Sequence, residues 1–178
     1  QEIKEKNQDK FKGKIDSETK RFFKDYAKQR ILANIREDLI TFGVKFDNWF
    51  SEESLYIEGR VQTVIEKLKQ KGFVFSSKGA LWFKSTDFGD QKDRVVTKEN
   101  GEDTYFASDI AYHDDKYQRG FATLIDIWGS DHHGYINRMK AAVQALGYAK
   151  DSFQVLLVQF VTLVRAGQII GMSTRGGQ

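Results

Sequence analysis

Tyr105 and Asp109 stand four residues apart. If that segment is helical, a phenol and a carboxylate share one face. Such a pair can grip a cation, and a guanidinium favours two-pronged contact with a carboxylate. The residues also allow a plainer role, with Asp109 an exposed charge or helix cap and Tyr105 a core aromatic. A second cluster is Trp128-Gly-Ser-Asp-His-His-Gly134. Gly129 permits a tight turn and close approach by a ligand. Asp131 can accept hydrogen bonds from a ribose. A helix beginning just after it offers free N–H groups to an anion. Equally open is an ordinary cap, with Ser130 or Asp131 at the N-cap position. Adjacent His132 and His133 are ill placed to chelate one ion, and His113 has no metal-ligand spacing to them, so no metal site is expected. A neutral imidazole hydrogen-bonding substrate or nucleotide fits the pair better. The third cluster, Gly171-Met-Ser-Thr-Arg-Gly-Gly177, combines glycines, two hydroxyls and a guanidinium. That composition suits a loop closing on phosphates, and it suits a polar turn as well.

These clusters need elements to hold them. The spacing predicts a helix from Tyr105 to about Gln118, a strand from Ala122 to Trp128 and a helix from His132 to Leu146. Phe153 to Val164 is almost wholly apolar, as in a parallel strand buried on both faces. Strand, helix, strand makes a right-handed crossover unit. With polar clusters at its strand ends, it reads as half of a nucleotide-binding α/β fold. Two parallel strands do not complete such a sheet, so further strands are expected outside these residues.

The earlier part has a different grammar. Residues 1–15 are polar and expected to be loose. Apolar residues from Phe22 to Leu39 recur at helical spacing, with Ser17 as a cap and Gly43 as a stop. Phe46 to Leu55 is short and aromatic, and predicts a strand followed by a turn. Val61, Val64, Ile65 and Leu68 form one stripe of a helix closed by Gly72. Phe73–Phe75 and Ala80–Phe83 flank Ser-Ser-Lys-Gly as a hairpin, and Arg94–Thr97 is a third strand.

Composition narrows the class. The chain has 178 residues, 40% hydrophobic and 30% charged, a soluble globular balance. No window approaches the ~18 consecutive apolar residues of a membrane span, and the start lacks the apolar core of a signal peptide. There is no cysteine, hence no disulfide, thiolate chemistry or Cys-ligated zinc. A cytoplasmic location is the expectation. Net charge is only +3, but ten lysines and arginines fall between Lys4 and Arg30. They form either a solvated helix face or an RNA-facing surface. There is no proline, for which no functional reason is evident.

Taken in order, these phrases resemble class I arginyl-tRNA synthetases. Asn48-Trp-Phe-Ser-Glu-Glu-Ser-Leu55, Gly79 to Asp90, Lys92-Asp-Arg-Val95, Asp126 to Gly134 and Leu156 to Arg165 all carry the likeness. It covers about residue 40 to the end. The resemblance implies the second half of a Rossmann-like class I synthetase catalytic domain, α/β in class, over residues 105–178. A mixed α+β connective insertion then spans 44–104, and an N-terminal basic segment and helix span 1–43. It implies an enzyme that activates arginine with ATP and Mg2+ and transfers it to tRNA. By the same resemblance, Tyr105, Asp109 and His132 hold the substrate arginine. Gly129, Asp131, His132, Met172 and Ser173 lie along ATP, and Ser173, Thr174 and Arg175 belong to the catalytic KMSKS loop. Gly171 and Thr174 stand where the family pattern carries lysines, leaving Arg175 as the loop cation. The family's HIGH motif, the first half of the catalytic domain and the anticodon-binding domain are expected outside these residues. The isolated chain is therefore expected to be inactive. The alternatives are another nucleotidyl-transferring enzyme of the same fold, or a non-catalytic RNA-binding module.

Overall fold

The computed structural model describes Gly13 and residues 16–171. The expected loose start and the loop residues Met172, Ser173, Thr174 and Arg175 lie outside the described residues. The chain divides into two units, Gln1–Phe50 and Ser51–Gln178. In the first, α1 (Ser17–Thr41) is the predicted helix. Its cap is Asp16 rather than Ser17: the Asp16 carboxylate accepts from the Thr19 N–H at 2.7 Å. A carboxylate suits a helix N-terminus, where free N–H groups and the dipole both favour negative charge.

The second unit holds the rest. The strand expected within Phe46–Leu55 does not form; instead α2 (Glu52–Ile57) begins after Ser51. Two glutamates in its first turn favour helix over strand there. Next, α3 (Arg60–Gln70) buries Val61, Val64, Ile65 and Leu68, the predicted stripe. A three-stranded antiparallel sheet follows, in order β1 (Val74–Ser77), β2 (Ala80–Phe83), β3 (Arg94–Thr97). The turn between β1 and β2 is only Lys78–Gly79, both with positive φ (49° and 76°). That conformation matches strand twist and explains the glycine.

Helix α4 (Tyr105–Gln118) packs on α3 and β3. Then β4 (Leu124–Gly129) and β5 (Phe153–Val158) pair in parallel, from Leu124 opposite Phe153 to Gly129 opposite Val158. Between them run a 3-10 segment, Ser130–Tyr135, and α5 (Ile136–Leu146). The predicted helix start at His132 is thus 3-10, and the α-helix begins four residues later. The long apolar strand is also divided. It ends at Val158, and β6 (Leu163–Arg165) and β7 (Gln168–Ile170) form a separate hairpin. Ala166–Gly167, again with positive φ, makes its two-residue turn. Nor is β5 buried on both faces: Leu156, Leu157 and Val158 are exposed.

The core lies between α3, α4, α5 and β2. Phe83, Leu68, Ile110, Met139 and Val143 are fully enclosed. Lys71 ties α3 to α5, donating to the carbonyls of Ala145 and Leu146 at 3.1 and 2.7 Å. These are free C-terminal carbonyls of α5, where a cation is favoured. None of the described helices is long and apolar enough to cross a membrane.

Candidate functional site

A cleft of about 480 Å³ opens beside the carboxyl end of β4, walled by α4 and by the 3-10 segment that follows β4. Ligand sites of open α/β sheets occur at such strand ends. The cleft brings Tyr105, Asp109 and His132 together. The α4 spacing puts Tyr105 and Asp109 on one face, as the sequence predicts. Tyr105 is 83% exposed, so it is not the core aromatic of the plainer reading. Asp109 is half-buried and is not the helix cap, which is Thr104.

Four further residues on these walls were given no site role from the sequence: Tyr135, Asp126, Lys116 and Trp128. Tyr135 donates its O–H to Asp109 Oδ2 at 2.7 Å. Its ring is held edge-on by Phe106 and Trp128, with the Arg138 guanidinium 4.5 Å over its face. Its position three residues after His132, one 3-10 turn on, was the available signal. His113 also lines the cleft, as a hydrogen-bonding group. Its Nδ1 donates to the Asp109 carbonyl at 2.7 Å, and its Nε2 lies 2.8 Å from Asp126 Oδ2. Lys116 Nζ donates to the other Asp126 oxygen at 3.0 Å. The i, i+4 spacing of Asp109 and His113 could have revealed this contact.

The two carboxylates of the cleft differ. Burial pushes Asp109 above the ordinary carboxylate range, against the opposing bond from Tyr135 and the charge of His113. Burial acts the same way on Asp126, but His113 and Lys116 outweigh it and hold that group low. Asp126 is thus already neutralised, whereas no lysine or arginine ion pair reaches Asp109 among the described residues. A half-buried carboxylate without a lysine or arginine partner can accept hydrogen bonds from a cationic group.

Gly129 and Asp131 stand at the strand end next to the cleft, not on its wall. Gly129 has φ −63°, which any residue adopts, so no turn requires it. What it provides is space. A Cβ there would lie 2.5 Å from Asp131 Oδ1. Neither Ser130 nor Asp131 caps the 3-10 segment, so the ordinary-cap reading of this cluster is not what the structure contains. Asp131 stays half-exposed, 3.6 Å from His132 Nε2.

The family model described as tRNA synthetases class I (R), catalytic domain, matches residues 1–178. The chain belongs to the class I arginyl-tRNA synthetase family. An arginine–tRNA ligase of Hydrogenovibrio crunogenus is 59% identical over 86% of this chain and 26% of its own length. Arginine–tRNA ligase 1 of Halalkalibacterium halodurans is 50% identical over 99% of this chain and 32% of its own length. A Campylobacter jejuni crystal structure assigned as an arginyl-tRNA synthetase superposes with TM-score 0.86 at 38% identity. It covers 96% of this chain and 37% of that one. The chain therefore spans about a quarter to a third of the length of these synthetase relatives.

Proposed function

We propose that this chain is the part of an arginine–tRNA ligase that recognises the arginine side chain and half of the ATP. The observation that carries the reading is Asp109: a half-buried carboxylate in a cleft, bonded by a tyrosine O–H and lacking a lysine or arginine partner among the described residues. In this reading Asp109 accepts the substrate guanidinium, Tyr105 covers it and His132 contacts the substrate. Gly129 and Asp131 lie along the ATP ribose, with Asp131 as hydrogen-bond acceptor. To the triphosphate, Ser173 and Thr174 offer hydroxyls and Arg175 the cation. Residues 44–104 are the connective insertion, reaching toward the tRNA acceptor end. The enzyme works in the cytoplasm.

The chemistry is in-line attack of the arginine carboxylate on the α-phosphate of ATP, releasing pyrophosphate. A hydroxyl of the tRNA terminal ribose then takes the arginyl group and AMP leaves. Both steps depend on alignment and charge neutralisation more than on protein acid–base groups. Magnesium enters with ATP, held chiefly by phosphate oxygens.

The test is ATP–pyrophosphate exchange by the full-length protein carrying these residues. Exchange is expected with arginine and not with the other amino acids. Exchange that ignores arginine would overturn the reading. The chain alone, residues 1–178, is expected to show none.

A further inference from the structure

We propose that Tyr135 is a positioning residue that holds Asp109 as a charged acceptor, so that the cleft takes a guanidinium and refuses its neutral ureido counterpart. The proposal rests on the reading of Asp109 given above and adds a source for its charge selectivity.

The geometry begins with the ring. Phe106 meets it edge-on at 5.9 Å and Trp128 at 5.8 Å, and Arg138 lies over its face. With the ring held by residues from α4, β4 and α5, the phenol donates to Asp109 Oδ2 at 2.7 Å. Burial, and then the Asp109 carboxylate beside it, make the phenol harder to ionise, while Arg138 and Arg94 oppose this weakly. Tyr135 is thus the donor and Asp109 the acceptor. One carboxylate oxygen is fixed, and with it the plane of the group. A planar guanidinium fork requires such a fixed plane; a spherical ammonium does not.

The charge of Asp109 is contested. Burial favours the neutral acid, and Glu52 on α2 and Asp126 on β4 repel a second negative charge. His113, on the same helix, and Tyr135 act the other way. Removing the Tyr135 hydroxyl leaves His113 alone against burial and two carboxylates. Asp109 would then take up a proton at higher pH. A protonated carboxyl no longer attracts a guanidinium, but its O–H can donate to the oxygen of a urea. Citrulline, the ureido isostere of arginine, would gain what arginine loses.

The experiment is Tyr135→Phe in the full-length enzyme, with Asp109→Asn alongside, read by pyrophosphate exchange from pH 6 to pH 9. Phenylalanine keeps the ring contacts, so the fold should persist. The KM for arginine should rise about tenfold at the acid end, the loss of one hydrogen bond to a charged group. The KM for ATP should not move. The acid limb of kcat/KM for arginine should shift to higher pH, because that limb reports the free enzyme's essential carboxylate. Citrulline should become a stronger competitive inhibitor. An unmoved acid limb, or equal rises in both KM values, overturns the proposal. If Asp109→Asn raises the arginine KM and Tyr135→Phe does not, the role of Tyr135 alone is lost. If Asp109→Asn also leaves arginine untouched, the reading of Asp109 falls with it.

Discussion

The two halves of helix α4 surround their carboxylates in opposite ways. In the second half, Asp114 and Asp115 are buried and each is paired with a lysine or arginine. Asp114 accepts from Lys67 Nζ at 2.9 Å, Tyr148 O–H at 2.8 Å and Gln118 Nε2 at 2.6 Å. Asp115 is bonded by the Arg60 guanidinium and lies 3.0 Å from Arg119 Nε. In the first half, Asp109 meets a phenol O–H and the charge of His113, against two other carboxylates, with no lysine or arginine pair among the described residues. Buried charges with full complements of cations are struts. Here they fasten α4 to α3, and so hold the cleft wall in place. A buried charge kept short of cations is costly to the fold and available to a ligand. Sequence position does not separate these roles, since all three are aspartates within seven residues of one helix; their partners do.

Three substitutions can break or sharpen that division. The largest effect is expected from Asp115→Ala. It leaves Arg60 and Arg119 without their shared acceptor and should cost ~1.5–3 kcal/mol of stability. Both arginine side chains are partly exposed and can turn to water, which keeps the loss below that of a fully buried pair. A lowered urea midpoint with unchanged arginine KM is the expected pair of results. An arginine defect equal to that of an Asp109 variant would erase the distinction.

Asp109→Asn should go the other way. Arginine affinity should fall tenfold or more, ~1.5–3 kcal/mol, with ATP affinity unchanged. Stability should rise at neutral pH. Burial holds the Asp109 carboxyl above its ordinary range, so the folded state binds that proton more tightly than the unfolded chain does. Stability therefore falls as pH rises from the unfolded value, ~3.9, through the folded value, and the full penalty is present above it. Thermal unfolding should show the variant ahead of wild type at pH 7, with the gap closing toward pH 3. A variant less stable at pH 7 would make Asp109 a strut after all.

The smallest effect is expected from Gly129→Ala. The backbone tolerates alanine, but the new Cβ would displace the Asp131 carboxylate. The KM for ATP should rise about two- to fivefold, under ~1 kcal/mol, with arginine unaffected. No change in either constant would remove Asp131 from the ribose.

Much of this was legible beforehand, and the failures have physical causes. The stripe Val61, Val64, Ile65, Leu68 and the Lys78–Gly79 hairpin followed from period and turn chemistry, which are local. The shared face of Tyr105 and Asp109 followed from helical spacing. Phe46–Leu55 misled because aromatic content outweighed the helix-start residues Ser51, Glu52 and Glu53. The run from Phe153 to Val164 misled because apolar content cannot distinguish one strand from a strand and a hairpin. Ala166–Gly167, placed like Lys78–Gly79, was the overlooked mark. Tyr135 was missed because its importance lies in a contact across 26 residues, and no periodicity encodes that.

The exposed side chains of the parallel sheet bear on how the chain would denature. Ile127 is 69% exposed and Leu156 55%, with Ile125 and Val158 similar. These groups already meet water in the folded state, so unfolding uncovers little more of them. Both the urea m-value and the heat-capacity increment scale with newly exposed surface. For the chain by itself, each should fall short of what 178 residues of ordinary burial would give. Its transition should be broad, with a slope reflecting the apolar surface that the parallel sheet leaves open.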